Sequence, residues 1–205
     1  RLAEVWTKLR VDDLVRVDAR GILAMGSDLL RSAAAPTPPA RKTGLLDPRG
    51  LEQLLASAIP FARIGEHLRA GRVAAVTVST THVRSGRTVV FVQRAEPGLP
   101  AWSHDPTITP RATVLGVHHA MASAAVPILF PSVQIDSELH CDGGLRQNVP
   151  LSPARRLGAD RVLVVNPRYI GPHVDEDESK DGFPGPLFLL GKTLNALMLD
   201  RIDND

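Results

Sequence analysis

Few residues in this chain combine a reactive type with a suggestive spacing. The sharpest candidate is Asp142, followed by Gly143 and Gly144, in the stretch LHCDGGLRQNVPLSPARRLGADRVLVV from Leu139 to Val165. A carboxylate can act as a general base when it is partly desolvated, because burial raises its pKa toward the working pH. The two glycines carry no Cβ, so they accept positive φ and let another segment come close. A bare Asp-Gly-Gly is more commonly a tight turn, with the carboxylate accepting backbone N–H bonds. The neighbours must decide between these readings.

The other candidates are weaker. Seven histidines are scattered along the sequence without clustering. His118 and His119 are adjacent, so on a helix they point about 100° apart and cannot easily share one metal. His140 and Asp142 are two apart, which places them on one face of a strand. With the single Cys141 they do not make a zinc site at this spacing, and no metal or other cofactor is expected. A serine nucleophile on a strand–helix elbow needs G-x-S-x-G. Ser27 in MGSDL and Ser123 in MASAA do not match it, and no other serine does. The segment GPLFLLGKT (Gly185–Thr193) imitates a phosphate-binding loop, but Pro186 stands where the first glycine must be. A solvated Lys192 near the start of a helix is the better reading.

Composition narrows the class. The chain has 205 residues, 43% apolar and 22% charged, the balance of a globular domain with a sizeable core. Its 24 basic and 22 acidic residues leave a net charge of +2, too even to argue for nucleic acid. One cysteine excludes an intrachain disulfide and fits a reducing compartment. No apolar run reaches the length that spans a bilayer. The chain begins at Arg1 inside a helical pattern, so the expectation is a segment of a longer protein.

The elements that must position Asp142 can be read coarsely. Leu2, Val5, Trp6 and Leu9 have helical spacing, and a second helix is expected over 21–34. Ala33–Gly44 is a Pro-rich loop. Asp47 with Pro48 signals a helix start, Leu51, Leu54, Leu55 and Ala58 form one face, and Pro60 ends it. A short helix over Phe61–Ala70 stops at Gly71. The β-branched runs RVAAVTVSTTHV and RTVVFVQRA, joined by RSGR, predict a hairpin. Glu96–Pro110 reads as a Pro-rich loop with Trp102 and His104, and Thr113–Ala125 as a helix. SVQIDSELHC predicts two very short strands around Asp136-Ser137. SPARRLG predicts a helix capped by Ser152, and RVLVVN (Arg161–Asn166) a parallel strand buried on both faces. Gly171–Gly185 is an acidic loop, and a last helix is expected over 187–202. Alternating helices and strands favour an α/β layered fold.

The residues flanking Asp142 now carry a resemblance. Ser123, Ala125, Pro127, Phe130, Pro131 and Val133 precede a short hairpin. Asp142-Gly143-Gly144 follows, then Asn148-Val149-Pro150, then Pro153 with Leu157-Gly158-Ala159-Asp160. In that order they resemble the C-terminal portion of the patatin-like phospholipase domain. The match is dense over 114–167 and thinner elsewhere.

The resemblance implies a three-layer fold related to the α/β-hydrolases, a mixed sheet flanked by helices, incomplete here at its N-terminus. It implies one partial domain over 1–205, with a helical lead-in at 1–70 and a hairpin and core sheet at 72–166. The acidic loop at 171–185 and the terminal helix at 187–202 complete it. It further implies a lipid acyl hydrolase using a Ser–Asp dyad, with Asp142 as the base. The serine in G-x-S-x-G and the Gly-rich oxyanion loop would lie upstream of Arg1, so this segment alone is expected to be inactive. Implied partners are a phospholipid or other acyl-ester lipid and the missing N-terminal segment of the same domain. The expected location is cytoplasmic or peripheral at a membrane. Trp102, Thr113–Ala125 and Leu187–Met198 are candidates for an apolar mouth. The alternative is a non-catalytic member that binds lipid or a protein and keeps Asp142 only as a turn residue.

Overall fold

The protein is described from a computed structural model over residues 16–17, 23, 27, 44–96, 98–99, 107–145, 151–165, 189 and 192–193. The expected features at Leu2–Leu9, Trp102, His104, Asn148–Pro150 and Gly171–Gly185 lie outside these residues. Leu23 and Ser27 are helical, as are Leu189, Lys192 and Thr193. The chain divides into two compact units, Arg1–Gly143 and Gly144–Asp205.

In the first unit, Arg16–Val17 (β1) pairs antiparallel with Leu46–Asp47 (β2). Helix Arg49–Ala58 (α1) follows at once. Its start lies one residue later than expected: Pro48 is the N-cap and Asp47 stands before it, with its Oδ1 accepting the Arg49 N–H at 3.0 Å and so satisfying one of the amide donors that a helix start leaves free. Leu51, Leu54 and Leu55 are half-buried on one face, whereas Ala58 is exposed. Pro60 separates it from Ala62–Arg69 (α2), which buries Leu68.

The expected hairpin forms from Ala75–His82 (β3) and Thr88–Arg94 (β4), with Gly86 at φ 66° in the turn. The Pro-rich stretch after it is not all loop. Ile108–Ala112 (β5) runs parallel to β4, with Pro110 opposite Val90. Proline has no N–H to give a second neighbour, and β5 is an edge strand that needs none. The helix expected over Thr113–Ala125 is shorter, Val117–Ser123 (α3). Gly116 before it is fully extended, and His119 Nδ1 accepts the Gly116 N–H at 3.0 Å.

Val133–Ile135 (β6) and Glu138–Asp142 (β7) form the short second hairpin, turning through Asp136 at φ 54°. The left-handed conformation suits Asp, whose short polar side chain tolerates it. The sheet order is β5-β4-β3-β7-β6, antiparallel except between β4 and β5. This is a mixed five-stranded sheet with flanking helices, of the α/β class.

The two-sided buried strand is β4, where every residue from Thr88 to Gln93 is buried. Phe91 and Val89 lie in a core with Leu115 and Ala122 from the α3 region and Ile135 from β6. That corrects the expectation for Arg161–Asn166. Val162–Val165 has no strand and is exposed, Leu163 by 90%. An apolar run states a preference for burial, but a strand exists only where a neighbour accepts its backbone hydrogen bonds.

In the second unit Leu151–Arg156 forms helix α4. Ser152 lies inside it rather than capping it, and its Oγ accepts from Arg156 Nε at 2.8 Å. The Leu-Gly-Ala-Asp signature is the helix stop. Gly158 stands at φ 95°, its N–H donates to Arg155 O at 3.1 Å, and the Ala159 N–H donates to Ala154 O at 3.0 Å. These are the two bonds of a Schellman motif, which favours glycine at the left-handed position.

Candidate active site

Asp142 is the last residue of β7, at the carboxyl end of a strand, and only 6% exposed. Three contacts from two elements, the α3 end and β3, hold the Asp142–Gly143 backbone. From the α3 end, the Ala125 carbonyl accepts the Asp142 N–H at 2.9 Å. From β3, the Thr81 hydroxyl donates to the Asp142 carbonyl at 2.8 Å, and Thr80 stands opposite Asp142 in register. The third is the close approach of Gly143 to the Ser79 backbone. A Cβ built on Gly143 would lie 2.7 Å from the Ser79 carbonyl carbon and closer still to its oxygen. The glycine after the carboxylate is therefore required by a neighbouring strand. Gly144 is half-buried and begins the second unit.

Strand alternation puts Glu138, His140 and Asp142 on one face of β7, with Thr80 and His82 of β3 beside them. His140 is fully buried. Its Nδ1 meets the Thr80 hydroxyl at 3.0 Å, and Thr80 Oγ1 also reaches the Val89 carbonyl at 3.4 Å. His140 Nε2 lies 3.8 Å from Glu138 Oε2, and His82 Nε2 lies 4.0 Å from the same oxygen. Arg111 on β5 pairs with that carboxylate at 2.5 Å. It does so as an ion pair, since Oε2 has no partner in good hydrogen-bond alignment.

The sequence suggested unclustered histidines, and the fold corrects this for His82, His119 and His140. Antiparallel pairing sets His82 directly opposite His140, with ring centroids 5.7 Å apart. Phe91 meets His119 edge-on at 4.7 Å and His140 at 5.3 Å. His118 stays exposed beside buried His119. Burial pushes His140 down to about 4, with the nearby His82 and Arg111 adding to it. Burial likewise pushes His119 down to about 4, with His118 adding to it. Both rings are thus neutral at pH 7.

Among the described residues, no group of three or more His, Cys, Asp or Glu is placed to hold a metal ion. Cys141 is a buried free thiol, pushed up to about 11 by burial and then by the charge of Asp142. It is protonated at neutral pH and a poor nucleophile.

A small pocket of about 90 Å³ has in its wall Ala125, whose carbonyl accepts the Asp142 N–H. Met121, Phe130, Pro131 and Val133 give it an apolar wall, and Pro48 and Leu51 of the α1 region close it. Several residues of the Ser-x-Ala-x-Pro-x-x-Phe-Pro-x-Val frame therefore surround this space. Ile128 in that frame has φ 73°, unusual for a β-branched residue. Its carbonyl and that of Leu129 accept the Leu45 and Leu46 amides.

Of the expected site residues, Asp142 and Gly143 come together in the first unit. Trp102 lies outside the described residues, and Lys192 is exposed on a helix. Thr81 and His82 were not legible as site neighbours. Their only signal was membership of a β-branched run, and the pairing that matters spans 61 residues for Thr81 and Asp142.

Comparison with known families gives a match to the patatin-like phospholipase model over residues 2–155. No curated protein matches the chain.

Proposed function

The chain belongs to the patatin-like phospholipase family, whose members are lipid acyl hydrolases, and on that premise we propose that Asp142 is the base of a Ser–Asp dyad. The observation that carries the reading is a carboxylate, 6% exposed, at the carboxyl end of β7 and in the family's Asp-Gly-Gly frame. In open α/β sheets the reacting groups gather at that end.

The chemistry is acyl transfer. A serine hydroxyl is a weak nucleophile until a base takes its proton. The Asp142 carboxylate accepts that proton as the serine oxygen bonds to the ester carbonyl carbon. It returns the proton to the departing alcohol oxygen, leaving an acyl-serine. Water then repeats the sequence and releases the fatty acid. The family's serine sits in G-x-S-x-G, which none of these 205 residues supplies. We infer that this serine lies upstream of Arg1 and that the 205-residue chain alone would be inactive. The apolar pocket beside Ala125 would take part of the acyl chain.

The substrate class is a phospholipid or another acyl-ester lipid, met in the cytoplasm or at a membrane surface by peripheral contact. No helix among the described residues is long and apolar enough to cross a membrane. The test is ester turnover by the protein extended upstream through the serine motif, with Asp142→Asn as the variant. Loss of the base should lower kcat by about 10²–10⁴-fold with the fold intact. Near-normal turnover in Asp142→Asn would remove Asp142 from the dyad. Lipid binding without turnover in the extended parent would favour a non-catalytic lipid-binding member.

A further inference from the structure

We propose that Thr81 is a positioning residue for Asp142: its hydroxyl fixes the peptide plane that aims the carboxylate. This deepens the dyad reading and rests on it.

A planar peptide leaves φ and ψ as the soft dihedrals of a residue. The direction of the Asp142 Cα–Cβ bond, from which the carboxylate extends, is therefore set by the two peptide planes that flank it. The plane before it carries the Asp142 N–H, held by the Ala125 carbonyl at 2.9 Å. The plane after it carries the Asp142 carbonyl, held by Thr81 Oγ1 at 2.8 Å. β7 ends at Asp142. The Thr81 side chain takes over where the ladder stops. Thr81 is buried and lies in the middle of the sheet on β3, between β4 and β7. The hydroxyl is thus delivered from a rigid element.

Gly143 completes the device. It packs against the Ser79 carbonyl, two residues before Thr81 on the same strand. β3 therefore holds both ends of the Asp142–Gly143 peptide, one by a hydrogen bond and one by close contact. A catalytic group must be kept within about half an ångström of its productive position, and its supporting contacts do that. Thr81 need not touch substrate to govern the rate.

The experiment compares Thr81→Ser with Thr81→Ala in the protein extended through the serine motif, using p-nitrophenyl butyrate. Both variants delete the methyl group, and only the alanine deletes the oxygen. Thr81→Ser should keep kcat within about threefold of the parent. Thr81→Ala should lose about tenfold in kcat with KM unchanged, since an interaction felt only in the transition state moves kcat. In an Asp142→Asn background the same Thr81→Ala change should have no further effect on kcat. Should Thr81→Ala fail to fold, Thr81→Val carries the same expectation against Thr81→Ser. Equal kcat in the serine and alanine variants, or a change confined to KM, overturns the positioning role while leaving the dyad standing. Normal turnover in Asp142→Asn alone overturns the dyad first.

Discussion

Acidification should destabilise this protein well before its carboxylates titrate, because two histidines are buried neutral. His119 and His140 are each lowered from 6.5 to about 4. The unfolded chain then binds a proton on each near pH 6.5, while the folded chain resists until about pH 4. Stability therefore falls as pH drops through that window and stops falling, for these groups, below about 4. Each shift corresponds to about 3 kcal/mol when fully developed, and to about 2 kcal/mol between pH 7 and 5. The two together cost about 4 kcal/mol by pH 5, a large share of the stability of an ordinary domain. The charges facing His140 are His82, Arg111, Glu138 and Asp136, and those facing His119 are His118, His140 and Asp136. The assay is urea unfolding followed by circular dichroism at pH 7, 6, 5.5 and 5. His140→Gln should remove about half of the slope with pH, because glutamine has no proton to gain in this range. A stability constant to within about 0.5 kcal/mol from pH 7 to 5 would refute the reasoning. So would titration midpoints above 6 for His119 and His140 in the folded protein.

Two further changes test the backbone constraints. Gly143→Ala should destabilise by about 2–3 kcal/mol or prevent folding, because its Cβ would collide with the Ser79 carbonyl; urea midpoints of the variant and parent decide it, and an unchanged midpoint would contradict the close approach. Gly158→Ala should cost about 1–2 kcal/mol of local stability, since φ 95° is strained for any residue with a Cβ while the site around it is open. Amide exchange over Leu151–Ala159 measures that loss, and unchanged exchange would contradict it.

The sequence by itself determined the features whose causes are local. The hairpin at Arg84–Arg87, the turn at Asp136-Ser137 and the helix start at Asp47 follow from turn and cap chemistry within a few residues. So does the strand-end position of Asp142, read from a short apolar run closed by glycines. The order of motif residues from Ser123 to Asp160 was also enough to name the family. Tertiary structure decided what depends on pairing. Val162–Val165 and Thr88–Gln93 carry similar apolar patterns, but only the second is a strand, because β3 and β5 are there to pair with it. Ile108–Pro110 fell inside the Pro-rich loop expected over Glu96–Pro110, yet Ile108–Ala112 is a strand, because an edge position asks for no second donor at Pro110. His82 and His140 stand opposite each other through antiparallel register, which no local pattern encodes. The grip of Thr81 and Ser79 on the Asp142–Gly143 peptide has the same origin. Local chemistry placed a carboxylate at the end of a strand, and long-range pairing fixed the direction of its backbone.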